Sequence, residues 1–418
     1  MVTATPQAGV EDVAFEPLSA AFAQNPYPAY AALRDKGTPQ FFADFDMWLV
    51  TRFDDVAAIA RDISMVRSPE FFMSAEEVHE QKRLQNWLDM PHHERFVQFS
   101  MLDSDGEVHD RLRKQVFREF TPAFIARQRT MIQSFVDKLI DSLIDKGEID
   151  FVEDLAAQVP GHIIGRVLGV PDEDCPQLRG WSEKVVQFFD INRTDERKAL
   201  AEQATTEFYH YLKKLMAERR KAPQEDLITR LMVAQDAGHL NEDELVSTCM
   251  LILMAGHGST IDVLGSGMHA LLRFPDQMAR LKADPGLIHT AIQEMFRFES
   301  PLPFFHRYST TDCVVGSQAF PRGTKFGLLY GAANRDPAAF GDNADSFDVG
   351  RNPNRHLAFG GGAHFCLGNH LARLDMEVIF TTLIKRLSSI ELVDAEPQYK
   401  RGLSVRGPKT LRLALTPA

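Results

Sequence analysis

The sequence predicts a mainly α-helical chain with a minor β region, an α+β fold built as one large domain. Three observations carry this. Helical spacing of apolar residues runs with few breaks from Val108 to about Ala222. A proline-free helical stretch from Asn241 to Leu272 would extend roughly 45 Å at 1.5 Å per residue. Short runs rich in aromatic and β-branched residues lie near both ends of the chain. No Gly/Ser or Pro-rich tract, long like-charge run or repeat divides the sequence. The expectation is therefore an N-terminal arm, 1–24, followed by a single domain, 25–418.

NPYPAYAALRD (Asn25 to Asp35) reads as a short helix entered through prolines. QFFADF and MWLVT read as strands around an Asp-containing turn, and RFDDVAAIARD returns to helical spacing. From Ser68 to Gln98 charges, Met and Phe mix irregularly, which predicts a long loop with one short helix. VHDRLRKQVFREF (Val108 to Phe120) is a helix stopped by Thr121-Pro122, with His109 and Arg113 four apart on one face. Another helix ends at Phe298, ahead of Pro301. FFHRYST, CVVGS, QAFP and KFGLLYGA follow as strand-like runs. Ala338 to Leu357 is loop-like, a helix runs from Cys366 to about Leu387, and a few terminal strands close the chain.

The formal charge of −12 argues against non-specific nucleic-acid binding. Four scattered cysteines lack metal-finger or disulfide-framework spacing and fit a reducing compartment. The first residues carry acids and lack a basic segment followed by an apolar core, so no signal peptide is expected. The best apolar run, Met250 to Gly256, is too short for a bilayer. A cytoplasmic protein with neither nucleic-acid nor membrane partners is expected.

The chemistry concentrates in FGGGAHFCLGNHLAR, Phe359 to Arg373. Gly360, Gly361 and Gly362 permit tight turning ahead of Cys366, which stands just before a helical pattern. Backbone N–H groups and the helix dipole there favour thiolate over thiol. A lone thiolate in a donor-rich loop suits an axial haem ligand. A buried structural cysteine beside a turn is the bland alternative.

This stretch resembles the haem-ligand loop of the cytochrome P-450 superfamily, F-G-x-G-x-H/R-x-C-x-G. Phe359, Gly360, Gly362, His364, Cys366 and Gly368 occupy its fixed positions. Other landmarks follow in the family's order over nearly the whole chain. The resemblance implies the cytochrome P-450 fold, with haem b (iron protoporphyrin IX) between the long central helix and the Cys-loop helix. It makes Cys366 the metal ligand, and makes His109, Arg113, Arg307 and His364 donors to the haem propionates. Glu294 and Arg297 match the E-x-x-R pair, a folding element with Arg351 or Arg355 as third member.

In the central helix AGHGST (Ala255 to Thr260) stands where the family reads A/G-G-x-D/E-T. Ala255 and Gly256 match the small residues that leave room for dioxygen. The acid position holds Gly258 and the alcohol position Ser259. Shifting the register to Thr260 rotates that residue about 100° off the haem face. His257 falls at the variable position and reads as a packed residue rather than a proton donor. The resemblance thus implies a bacterial-type haem-thiolate monooxygenase that hydroxylates, demethylates or epoxidises an apolar or aromatic small molecule. The missing acid leaves open radical coupling, desaturation, peroxide or nitric-oxide chemistry, and a haem sensor without turnover. The family's recognition segments place Phe188, Phe304, Phe305 and Leu403 at the substrate. Electrons are expected from NAD(P)H through a ferredoxin reductase and a ferredoxin, with Arg111, Lys114, Arg118 and Arg373 as a basic docking face or a merely solvated one.

Overall fold

Asn241 and Glu244 start the longest helix with a reciprocal capping box, each side chain accepting the other's backbone N–H at 2.9 Å. The helix spans Glu242–Arg273 and ends where Pro275 follows. It has apolar residues on nearly every side and is buried along most of its length, the mark of a helix through the middle of a large protein. Its apolar window is long enough to cross a membrane, and 78% of that window is buried inside the protein.

The structure, a computed structural model, describes residues 15–394 and 396–418. It is mainly helical with three small sheets. The strands are β1 (Gln40–Phe42), β2 (Met47–Val50), β3 (Met65–Val66), β4 (Glu148–Asp150), β5 (Phe304–Ser309), β6 (Cys313–Val315), β7 (Gln318–Phe320), β8 (Lys325–Leu329), β9 (Leu387–Leu392) and β10 (Arg412–Pro417). The largest sheet runs β1-β2-β8-β5-β3, so N-terminal strands pair with strands from far along the chain. β4-β10-β9 form a second sheet and β6-β7 a hairpin.

Of the segment expected as a loose arm, residues 1–14 lie outside the described residues. Phe15 and Phe22 are buried, with ring contacts to each other and to Tyr30. The irregular 68–98 region holds two helices, Ala75–Leu84 and Pro91–Phe96, where one was expected. Ser74 and Glu77 supply the first with a capping box that the apolar pattern does not advertise. β4 was also unforeseen. Three residues are too few to show a period, and β10 recruits them from across the chain.

The cysteine loop is anchored by a buried ion cluster. Glu294 and Arg297 on the helix Ile288–Phe298 are both fully buried and make two hydrogen bonds of 2.7 Å. Arg351 completes the cluster, its Nε 3.1 and 3.2 Å from the two Glu294 oxygens. Arg355 is exposed and faces Phe53 instead, so the third member is Arg351. Breaking a buried pair leaves an uncompensated charge, which costs about 3–5 kcal/mol. Glu294→Gln or Arg351→Ala should therefore destabilise by that order in chemical denaturation and lower haem retention. Arg355→Ala should stay within about 0.5 kcal/mol of the parent.

Candidate active site

From this cluster the chain runs into the loop 359–368, where two glycines are required by geometry. Gly360 and Gly362 have φ of 68° and 65°, the left-handed region that side chains resist. A Cβ on Gly362 would also lie 2.6 Å from the Ala60 carbonyl oxygen. The Cys366 N–H donates to the Phe359 carbonyl at 2.9 Å, closing the loop on itself. Phe359 is buried, its ring 4.5 Å from Phe296 and 4.3 Å beneath the Arg373 guanidinium.

Burial pushes the Cys366 thiol up in pKa, against the pull of the Gly368 N–H, Arg113 and Arg373. The Gly368 N–H acts in the direction expected of the loop, and desolvation is the larger effect. Coordination to a metal would deprotonate the thiol outright.

A cavity of roughly 2340 Å³ separates this loop from the central helix. Cys366, Phe359 and Gly368 line one wall; Ala255, Gly256, Gly258, Ser259 and Thr260 line another. A Cβ on Gly368 would meet nothing within 4 Å, so the cavity reaches to its backbone. Gly256 lines the cavity and also admits a neighbouring helix, since a Cβ there would strike Ile164 at 2.9 Å. Gly258 is open, with nothing within 4 Å of a Cβ there. Ser259 is partly exposed and its hydroxyl donates to the Ala255 carbonyl at 3.2 Å. Thr260 is largely buried, 5% exposed. His257 faces away from the cavity toward Gly161, fully buried, with a pKa near 3 from desolvation.

His109, Arg113, Arg307 and His364 meet at one side of the cavity, and their partners differ. Arg307 is buried, donates to the His306 carbonyl at 2.8 Å, and is lowered by desolvation to a pKa of about 10. Arg113 donates to the Phe365 carbonyl at 2.7 Å, tying its helix to the cysteine loop. His109 gives Nδ1 to Asp110 at 2.9 Å, while its buried Nε2 meets no partner among the described residues. That is a polar atom left for a group the cavity takes in.

His364 departs from the expectation. Its Nε2 lies 2.9 Å from Asp105, an acceptor, and burial keeps the ring's pKa low. A neutral imidazole has one N–H, so His364 is engaged by Asp105 rather than free to donate. Asp105 also accepts the N–H groups of Arg67 and Ser68. Sequence reasoning missed Asp105 and Arg67. Asp105 lies four residues before His109, a helical spacing that could have flagged it; Arg67 gave no signal.

Phe304 and Phe305 line the cavity. Phe188 and Leu403 do not: both are fully buried, Phe188 against Trp87 and Leu403 in a core with Tyr30 and Leu33. Their neighbours Phe189, Ser404 and Val405 reach the cavity instead, because a one-residue step on a helix or an extended chain turns the side chain away. Of the basic face, Arg111 is held by Glu244 and Arg373 by Asn369 and Gln293, which leaves Lys114 and Arg118.

An apolar cleft with a thiol below, buried guanidiniums and an unpartnered imidazole nitrogen at one side fits haem b with its two carboxylates. A model of the family described as cytochrome P450 matches residues 77–285 and 286–415. Polyketide biosynthesis cytochrome P450 PksS of Bacillus subtilis is 33% identical over 97% of this chain and 100% of its own length. 6-Deoxyerythronolide B hydroxylase of Saccharopolyspora erythraea is 33% identical over 91% of this chain and 94% of its own. The crystal structure of P450BioI in complex with hexadec-9Z-enoic acid ligated acyl carrier protein superposes with a TM-score of 0.87. It is 30% identical, over 95% of this chain and 99% of that one.

The two glycines should fail differently. Gly368→Ala should fold within about 1 kcal/mol of the parent yet retain less haem, because its methyl enters the cofactor space. Gly362→Ala should lose about 1–3 kcal/mol by denaturation, from positive φ and the Ala60 carbonyl.

Proposed function

The chain belongs to the cytochrome P450 family and is a haem-thiolate monooxygenase; from that premise we propose that Cys366 is the axial ligand and that the substrate is a largely apolar small molecule. The observation that carries this is the large cavity between Cys366 and the open face of the central helix, lined also by Phe304 and Phe305. Bound through a thiolate, haem supplies dioxygen activation and oxidation of unactivated carbon. The protein's own part is to hold, orient and supply protons.

Arg307 and Arg113 hold the two carboxylates, the free Nε2 of His109 donates to them only when its ring carries both protons, and Asp105 engages His364. Aromatic walls exclude water and orient the substrate. Ser259 is the hydroxyl nearest the place where an acid–alcohol pair would stand, and its proton is directed at the Ala255 carbonyl. The oxygen then accepts from water or from the substrate. Relatives named for polyketide and acyl-carrier-linked fatty-acid substrates favour an extended, reduced carbon skeleton. A ferredoxin and its NAD(P)H-dependent reductase deliver the electrons, with Lys114 and Arg118 the remaining basic contacts. The open Gly258 position favours a second reading, in which the enzyme couples or desaturates without inserting oxygen.

Reduced protein under carbon monoxide should show the red-shifted thiolate band, and Cys366→Ala should lose it; a parent without that band defeats the assignment. Gly258→Glu places a carboxyl in open space, so haem binding should persist while the ratio of product to electrons consumed changes about two-fold or more. Equal coupling in mutant and parent would remove any role for that position.

A further inference from the structure

β5 and β8 pair antiparallel with Phe304 opposite Leu329, His306 opposite Gly327 and Tyr308 opposite Lys325. Alternation places Phe304, His306, Tyr308 and Lys325 on one face of the sheet and Phe305 and Arg307 on the other, and residues of both faces line the cavity. The character of the first face changes along its length. Phe304 makes one end apolar; four residues on, about 13 Å away, Lys325 makes the other end basic.

A second cation joins it. Arg193, between the helices Cys175–Val186 and Asp195–Lys221, lines the same cavity with its guanidinium 4.6 Å over the Trp87 ring. Its Nε donates to the Phe188 carbonyl at 3.2 Å. Among the described residues Lys325 meets the Tyr308 ring, 5.9 Å from Nζ. Among the described residues neither cation has a carboxylate within ion-pair distance. Desolvation lowers Arg193 to a pKa of about 10 and Lys325 to about 8, the latter with Arg193 among the causes.

The nearby acids are otherwise engaged. Asp103 pairs with Arg67 at 2.8 Å. Asp190 accepts the N–H groups of Ile191 and Leu403 and attracts Arg193 from beyond ion-pair distance. Glu77 caps Ser74 and Glu80 pairs with Arg83. Asp46, which attracts Lys325, is exposed on its turn and lies beyond ion-pair distance.

We propose that Arg193 and Lys325 form an anion subsite that receives a carboxylate at the far end of an otherwise apolar substrate, setting which carbon reaches the reacting end of the cavity. The inference rests on the monooxygenase reading and narrows its substrate to hydrophobic carboxylates. Two desolvated cations sharing one cavity wall are costly alone, and a carboxylate satisfies both through charge-assisted hydrogen bonds.

The test is titration of the haem-loaded protein with dodecanoate, hexadecanoate and their methyl esters, followed by haem absorbance and by calorimetry. The acids should bind about tenfold or more tightly than the esters. Arg193→Gln and Lys325→Gln should each abolish most of that preference while leaving ester affinity within about two-fold. Arg193→Lys, which keeps the charge, should retain it. Esters that bind as well as acids, acids that do not bind at all, or variants that weaken acid and ester alike would overturn the subsite. The carbon monoxide band separates the two failures: a protein that shows it but does not prefer acids loses only the subsite, whereas one without it loses the monooxygenase assignment as well.

Discussion

A single buried carboxylate, Glu294, organises the segment on which the cysteine loop depends. Between β8 and the loop, much of the chain from Asn334 to Ala358 is irregular and partly buried, and buried backbone polar groups need partners. Arg297 donates to the carbonyls of Asn334, Ala344 and Ser346. Arg351 reaches the carbonyl of Asn343. Glu294 itself accepts the Asp348 N–H and the Asn354 amide. Two guanidiniums can serve so many carbonyls inside the protein only because Glu294 neutralises part of their charge. Remove it and the same donors become a liability, so the shape of the cysteine loop is secured from some distance behind the cysteine.

The loop and the central helix then divide the work between backbone and side chain. On the loop side glycines let the backbone itself form the surface, at Gly368 and through the left-handed turns at Gly360 and Gly362. On the helix side the two glycines do opposite things. Gly256 admits Ile164 and so brings two helices close, whereas Gly258 leaves a vacancy facing the cavity. A motif of small residues conceals this difference, since composition alone cannot say which way each missing Cβ would have pointed.

Much of the fold was legible because the signals were local. The cap at Asn241, the amphipathic pattern around His109 and the Gly-Cys loop each declare themselves within a few residues. The cofactor side was legible too, with the cysteine, the arginines and His109 brought to one cavity from distant parts of the chain. What escaped notice depended on pairing across the fold. β4 exists because β10 lies beside it, and His364 is engaged because Asp105 arrives from another element. Phe188 and Phe189 are indistinguishable in sequence, and only helix packing decides which faces the cavity. Arg193 and Lys325 carry no motif; that both line one cavity and that neither meets a carboxylate within ion-pair distance among the described residues is decided only by the fold.

The same selection acts on the proton supply. Of the central helix residues from Ala255 to Asp262, those lining the cavity are Ala255, Gly256, Gly258, Ser259 and Thr260, none of which titrates near neutrality. The two that could titrate are turned away: His257 packs on Gly161, and buried Asp262 accepts from Lys400 at 2.6 Å. Rotating either into the cavity would require turning a helix that is locked by packing along its whole length. On the proposed reading, the hydroxyls of Ser259 and Thr260 with water, or the substrate itself, supply protons in the space Gly258 leaves open. On that reading coupling of electrons to product depends on how the substrate fills that space, and the proposed anion subsite would hold it there in one register.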